Sequence, residues 1–443
     1  MSPSGDLIHR PHHERHSPQL LEQQTKQLID SVVRHSYGRL LAMLSARTSD
    51  IASAEDALAN ALEIAVSTWM KQGVPDKPEA WLFTVARRQL IDHARKVQVQ
   101  QTHQVEFSHL IEEAAQDIDP LAIPDHRLAL MFACTHSAIE HSIRAPLMLQ
   151  TLLGFDAAKI ASAFLVAPSN MAQRLVRAKN KIRVAGIRLV IPDQSAISEG
   201  LDSVLDAIYS IYNNAWSQTV DGDIHRANLA DEALWLTQLL TQLAPQEPEV
   251  FGLLALMLYT ESRRAARYNA QGDYIPLQEQ DHQLWDYPTI DQAEYYLRHA
   301  SCMKKRGRFQ LEAAIQSAHS VRRFQAKADW RAINQLYTQL YQITASPVVA
   351  INHAVALAEI ASPQIALAQL DQLIQDENLK TRLEQYQAYW AANAHLQSTC
   401  GNVSAAIDAY QRAIGLCTEP AARRFLQNRM TDMLNISKAH QTT

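Results

Sequence analysis

Glycine is scarce in this 443-residue chain, at 12 in all. Tight turns and phosphate-cradling loops depend on that residue, so its scarcity argues against a Rossmann-type enzyme or a β-rich fold. Cysteine is scarcer still. Cys134, Cys302, Cys400 and Cys417 are scattered with no CxxC pair, which excludes a disulfide scaffold and the usual zinc spacings and fits a reducing cytosol. The longest apolar run, Val250 to Tyr259, is about half of what spans a bilayer. The N-terminal stretch is polar and lacks the apolar segment of a signal peptide, so the expectation is a cytoplasmic protein without a membrane partner. GxGxxG, GxxxxGK before Ser or Thr, HExxH and GxSxG are all absent. No catalytic chemistry, cofactor or metal is therefore expected.

What is present is apolar mass in helical order. Hydrophobic residues make up 47% and charged residues 20%, enough to bury sizeable cores and to exclude a wholly disordered chain. The length suggests two to four domains at roughly 100–200 residues each. Residues 1–24 read as a loose tail, in which His9, His12, His13 and His16 are tail residues rather than a metal site. Beyond it the spacing is helical throughout, and the expected class is all-α.

Ser53 predicts a helix N-cap, with Asp56 three residues on. Leu58, Ala61, Leu62, Ala65 and Trp69 follow as one apolar stripe, while Glu55, Asn60 and Glu63 lie away from it. Gly73 to Pro78, with two prolines, reads as a loop, and Trp81 to Lys96 as a second helix with Arg87, Arg88 and Arg95 outward. Together these make a domain over 25–96. Residues 97–125 hold six acids and no Lys or Arg, and lack periodicity, so they read as an acidic linker. Residues 126–192 form a second small helical domain.

The end of that domain carries the sharpest pattern. A short helix over Asp156 to Leu165 precedes the turn Val166-Ala167-Pro168, and a second helix starts near Ser169, whose hydroxyl suits an N-cap. In this helix Met171, Leu175, Ala178 and Ile182 form an apolar stripe. Asn170, Gln173, Arg174, Arg177 and Lys181 form a polar, basic one. Arg174 to Arg188 holds six basic residues and no acid. A helix–turn–helix showing Asn, Gln and Arg outward is what major-groove reading requires, since Arg pairs bidentately with guanine and Asn or Gln with adenine. Lys179, Lys181 and Arg183 suit phosphates. By spacing alone, a surface helix that merely ends basic fits equally well.

Residues 30–190 resemble the extracytoplasmic-function class of bacterial RNA polymerase sigma factors. Ser53-Ala-Glu55-Asp56-Ala-Leu-Ala-Asn60-Ala is similar to the segment that, in this class, docks on the coiled coil of the polymerase β′ subunit. The resemblance implies core-polymerase contacts at Glu55, Asp56, Ala59, Asn60 and Glu63. Trp81-Leu-Phe-Thr-Val-Ala-Arg87-Arg88-Gln-Leu-Ile-Asp92 is similar to the segment that meets the −10 element, which implies roles there for Lys77, Trp81, Arg87, Arg88 and Arg95. Trp81 is expected to pack the helix base rather than stack on a nucleotide. Phe155 to Val166 and Met171 to Lys179 are similar to the helix-turn-helix that reads −35. This implies promoter contacts at Ser169, Asn170, Gln173, Arg174, Arg177 and Lys181. The implied partners are core RNA polymerase, through β′ and β, and promoter DNA. A conventional helix-turn-helix regulator acting without polymerase is the alternative.

The last expected domain covers 193–443, and within it residues 200–443 resemble the C-terminal extension of one sigma subgroup, a tetratricopeptide-like helical domain, through Tyr209 to Trp216, Pro248 to Met257 and Gln280 to Asp286. Trp390, Ala394, Gly401, Ala406, Tyr410 and Ala413 sit at the offsets of one such repeat. Ala354, Leu357, Ala366 and Leu370 suggest a degenerate copy. Two readings stay open: a regulatory groove for a protein or small effector, or a scaffold. Arg263, Arg264, Arg267, Asp281 and Asp286 around the turn Gln271-Gly272-Asp273 read as an ion-pair network, with a ligand site as the alternative. Cys134-Thr135-His136 reads as a packed helix end.

Overall fold

The computed structural model describes residues 36–100, 125–164, 166–216, 224–325, 327–375 and 377–441. The expected tail over 1–24 and most of the acidic linker lie outside them. Among the described residues all regular structure is helical, with one isolated bridge between Tyr268 and Tyr274. No helix among them is long and apolar enough to cross a membrane. The chain divides into two compact units, Met1–Ala207 and Ile208–Thr443. The division falls inside a helix, beyond the boundary at 192 that the sequence suggests.

In the first unit, residues 36–48 form α1, Ile51–Gln72 α2 and Pro78–Gln100 α3. The backbone turns sharply between α1 and α2 at Ser49, with φ of 53°. The N-cap of α2 is Asp50, not Ser53: its carboxylate accepts hydrogen bonds from the Ala52 and Ser53 amides. The Ser53 hydroxyl donates to the same carboxylate at 2.9 Å. Pro78 is also not a loop residue. It opens α3, where its missing N–H is one of the free donors of any helix start. Ala54, Ala57, Ala61 and Ala65 are buried along α2, and their small side chains let α3 pack closely.

Arg127–Thr135 (α4), His141–Leu153 (α5), Ala157–Ala163 (α6) and Pro168–Val184 (α7) follow. Asp156 stands before α6 and its carboxylate accepts from the Lys159 amide at 2.8 Å. Helix α7 starts at Pro168 with Ala167 as an N-cap lacking a side-chain bond, so Ser169 is an exposed first-turn residue and not the cap. Cys134 is buried against the Thr151 hydroxyl, and burial pushes its thiol up to about 12, an inert packed position.

Helix α1 also touches α5, backbone to backbone. A Cβ built on Gly38 would collide with the Leu152 carbonyl. Gly38→Ala is therefore expected to force the two helices apart at about 1–3 kcal/mol, read from the shift in urea midpoint. An unchanged midpoint would contradict that close approach.

Gln194–Trp216 (α8) contains the division between units. The second unit continues with Ile224–Leu243 (α9), Pro248–Glu261 (α10), Tyr287–Cys302 (α11), Arg308–Ser320 (α12), Trp330–Thr344 (α13) and Pro347–Ala358 (α14). Then come Pro363–Gln375 (α15), Glu377–Glu384 (α16), Gln387–Thr399 (α17), Val403–Leu416 (α18) and Pro420–Gln441 (α19). From α9 onward neighbours in sequence are neighbours in space, as in a helical array. Helix α10 is apolar nearly all round because α9, α11 and α12 all pack on it. Glu249 on α10 caps the start of α12 from outside: its carboxylate accepts from the Phe309 amide at 2.8 Å and the Gln310 amide at 3.1 Å. In α17 and α18, Ala394, Ala406, Tyr410 and Ala413 are buried at the helix–helix contact.

The segment from Arg263 to Asp286 has short 3-10 turns and lies against α19. Arg424 donates to the Asp273 carboxylate at 2.8 Å and to the Gly272 carbonyl at 2.9 Å. Arg429 pairs with Glu279. Tyr268 donates to Glu419 at 3.0 Å. Arg264 and Arg267 do pair with carboxylates, namely Glu261 at 2.7 Å and Glu419 at 4.0 Å. Asp281 and Asp286 instead serve as caps, accepting from the Gln283 and Thr289 amides.

Candidate functional site

Helices α2, α3 and α7 of the first unit carry the candidate residues. On α2, the buried stripe turns Asp56, Ala59, Asn60 and Glu63 outward. Asp56 and Asn60 line a groove of about 350 Å³ together with Gln89 and Asp92 of α3. The Gln89 side-chain oxygen is buried there with no hydrogen-bond partner among the described residues. Gln89 was not singled out from sequence, since it lies between the arginine pair and Asp92 with no pattern of its own.

Along α3, Trp81, Arg88 and Arg95 fall at intervals of seven residues, which keeps them near one side of the helix, and Lys77 stands just before its first residue. Lys77, Arg88 and Arg95 are exposed and Arg87 is half-buried. Arg95 stands 3.9 Å from Asp92 on an exposed surface, a pair of little energetic weight. Trp81 is edge-on to the buried Trp69, with ring centroids 5.4 Å apart. The indole thus serves the α2–α3 contact.

On α7, Ser169, Asn170, Gln173, Arg177 and Lys181 are exposed. Arg174 is less free. Its guanidinium donates to the Ser142 hydroxyl at 2.5 Å and lies 3.6 Å from Glu140, both at the start of α5. Arg174, Arg177 and Lys181 share with Glu140 the wall of a shallow hollow of about 150 Å³. The Arg177 Nε–H bonds within its own helix, to the Gln173 carbonyl at 3.3 Å.

An ion pair joins α2 and α7. The Lys179 ammonium of α7 pairs with the Glu55 carboxylate of α2, and the two side chains are only 9% and 15% exposed. Burial raises the Glu55 carboxyl above the usual range, and the nearby ammonium opposes the rise. The second Glu55 oxygen is buried without a partner among the described residues. Glu55 therefore stands apart from the exposed face of Asp56, Ala59, Asn60 and Glu63, and Lys179 apart from the exposed cations of α7.

Residues 32–99, the span of α1 to α3, match the sigma-70 region 2 family. Residues 200–301 match a family of unknown function, DUF6596. An uncharacterized protein of Rhizobium meliloti (strain 1021) is 34% identical over 379 residues, 84% of this chain and 88% of that protein. The chain belongs to the sigma-70 family. Its region 2 is the α1–α3 bundle, so the α2 groove and the α3 basic side lie on the part of a sigma-70 factor that implies core RNA polymerase and promoter DNA as partners. The sigma-70 family is one of non-enzymatic transcription initiation factors. The DUF6596 stretch begins within α8 and runs to the end of α11.

Proposed function

We propose that this sigma-70 family chain is a promoter-specificity subunit of the extracytoplasmic-function class, cytoplasmic, and regulated by a tetratricopeptide-like C-terminal domain. The observation that carries the reading is a pairing of surfaces. A region 2 bundle turns Asp56, Ala59, Asn60 and Glu63 outward, and the helix-turn-helix α6–α7 turns Asn170, Gln173, Arg177 and Lys181 outward.

In this reading the polymerase β′ subunit docks along α2, helped by its acidic character. Lys77, Arg87, Arg88 and Arg95 hold the melted −10 strand, where a positive groove tracks phosphates. Helix α7 enters the major groove at −35, with Asn170, Gln173 and Arg177 toward base edges and Lys181 toward phosphate. Arg174 acts from its tie to α5, fixing how α7 is presented. Full use of Glu55 toward polymerase, or of Lys179 toward DNA, requires the two to separate. The C-terminal domain answers to an effector or protein partner. The acidic linker over 97–125, by its charge sign, suits a basic polymerase channel.

The test is in vitro transcription with purified core polymerase and the full-length protein. Initiation at a discrete start site that depends on the added protein is the expected result. Sequence-specific DNA binding with no affinity for core polymerase would replace this reading with that of a helix-turn-helix regulator.

A further inference from the structure

The second unit holds a half-open cavity of about 620 Å³ between the Arg263–Asp286 segment and helices α12, α13, α14, α17, α18 and α19. Its size is that of a small-molecule site. Trp330, Tyr337, Tyr410 and Phe425 line it, which gives it aromatic walls from three separate parts of the array. The segment's fastening to α19 through Arg424 and Arg429 closes one side.

The lining includes a deeply buried imidazole with no partner among the described residues. His319 is 8% exposed and faces the cavity. Its ring meets the edge of Trp330 at 5.3 Å. No described residue hydrogen-bonds its imidazole. Burial, and then the fields of Arg263 and Arg322, hold it down to about 3. It is therefore neutral at physiological pH, with one N–H to donate.

Those two arginines carry the second anomaly. Arg263 donates to the Tyr259 carbonyl at 3.2 Å and to the Gln316 side-chain oxygen at 2.7 Å. Arg322 donates to the carbonyls of Leu277 and Gln280 at 2.7 and 3.0 Å and lies over the Trp285 ring. Every one of these acceptors is neutral. Among the described residues neither guanidinium has a carboxylate within 4.0 Å, unlike Arg264 and Arg267 beside them. Half-buried cations without a counter-charge leave a positive potential that favours an anion. The acids at the rim do not meet that need: Glu279 is held by Arg429, and Asp432 is exposed.

We propose that this cavity binds a small aromatic organic acid, its ring between Trp330, Tyr337 and Tyr410 and its anionic group accepting from His319 in the field of Arg263 and Arg322. The aromatic walls supply affinity for a planar body, and the histidine N–H and the two cations select the anion. A cavity of this volume takes a ligand of drug-like size and is too small for a folded partner.

The experiment uses the full-length protein and two fluorescent probes of one shape, anionic 1-anilinonaphthalene-8-sulfonate and neutral N-phenyl-1-naphthylamine. The expected result is saturable binding of one sulfonate per chain, tighter than the neutral probe by about tenfold. 3-Phenylpropionate is expected to displace it, and 3-phenylpropanol is not. His319→Phe keeps the ring edge on Trp330 and removes the donor. Arg322→Gln removes a cation. Each is expected to weaken the sulfonate by about fivefold or more and to leave the neutral probe unchanged. Equal affinity for the two probes, displacement by the alcohol as readily as by the acid, or variants that fold and bind the sulfonate as the parent does would each overturn the proposal. The probe and displacement comparisons stand on the parent protein alone, should a variant misfold. Neither polymerase nor DNA enters the assay, so its failure is separate from failure of the sigma-factor reading.

Discussion

Lys179→Met is expected to lower the melting temperature of the first unit by roughly 10 °C, whereas Glu55→Gln combined with Lys179→Met is expected to restore most of it. The ammonium and carboxylate are only 9% and 15% exposed, so both have left most of their water. Removing the lysine alone leaves a buried carboxylate whose second oxygen already lacks a partner, a loss of about 3–5 kcal/mol. Removing both charges discards the desolvation penalty together with the attraction, and the pair then comes within about 1 kcal/mol of the parent. Scanning calorimetry of the three proteins checks the ordering. A single variant as stable as the parent would mean that the pair is not formed in solution.

The same pair fixes a pH dependence. The Glu55 carboxyl stands above its ordinary value because burial outweighs the lysine. A carboxyl raised in the folded state favours folding most below its unfolded value and loses that contribution as pH rises through the folded one. Without Lys179 the carboxyl rises further. The melting gap between parent and Lys179→Met is thus expected to narrow as pH is lowered from about 7 to about 5. A gap that widens on acidification would place the shift on the wrong side.

The helices of the first unit were legible because their stripes are regular. Leu58, Ala61, Ala65 and Trp69 are buried as their spacing requires. Helix starts were less so. Both Asp50 and Ser53 are cap-forming types, and what selects Asp50 is the backbone reversal at Ser49, a matter of geometry with no periodic trace. Pro168 likewise opens α7 in place of Ser169, since a proline before a cap residue fits the turn or the first helical position equally. Exposure of Asp56, Asn60, Arg177 and Lys181 follows from position on an amphipathic helix. The Glu55–Lys179 pair, 124 residues apart, and the tie of Arg174 to Ser142 depend on how helices dock, which no local pattern encodes. In the second unit sequence grouped five charged residues around Gly272. The structure sorts them into two caps and the Arg264–Glu261 pair, all with partners two or three residues away, and into Arg267 and Arg263, whose partners Glu419 and Gln316 lie far along the chain.

Arg177→Ala is expected to relax promoter preference at one or two −35 positions by about 1–3 kcal/mol each, with binding to the remaining variants reduced evenly. Arg177 is exposed on α7, and among the described residues only its Nε–H is engaged, with a carbonyl of its own helix, so under the proposed function its terminal nitrogens are available for a bidentate contact with guanine. Arg174→Ala is expected to show the smaller base-specific loss, because that guanidinium is already held by Ser142 and Glu140, and its removal loosens the presentation of the whole helix instead. Lys181→Ala is expected to weaken all sequences alike and to reduce the slope of log affinity against log salt by about 0.9. Holoenzyme binding to a set of −35 variants at several salt concentrations separates the three outcomes. Equal losses across all variants for Arg177→Ala would assign that face to phosphates, and an unchanged salt slope for Lys181→Ala would take the helix off the DNA backbone.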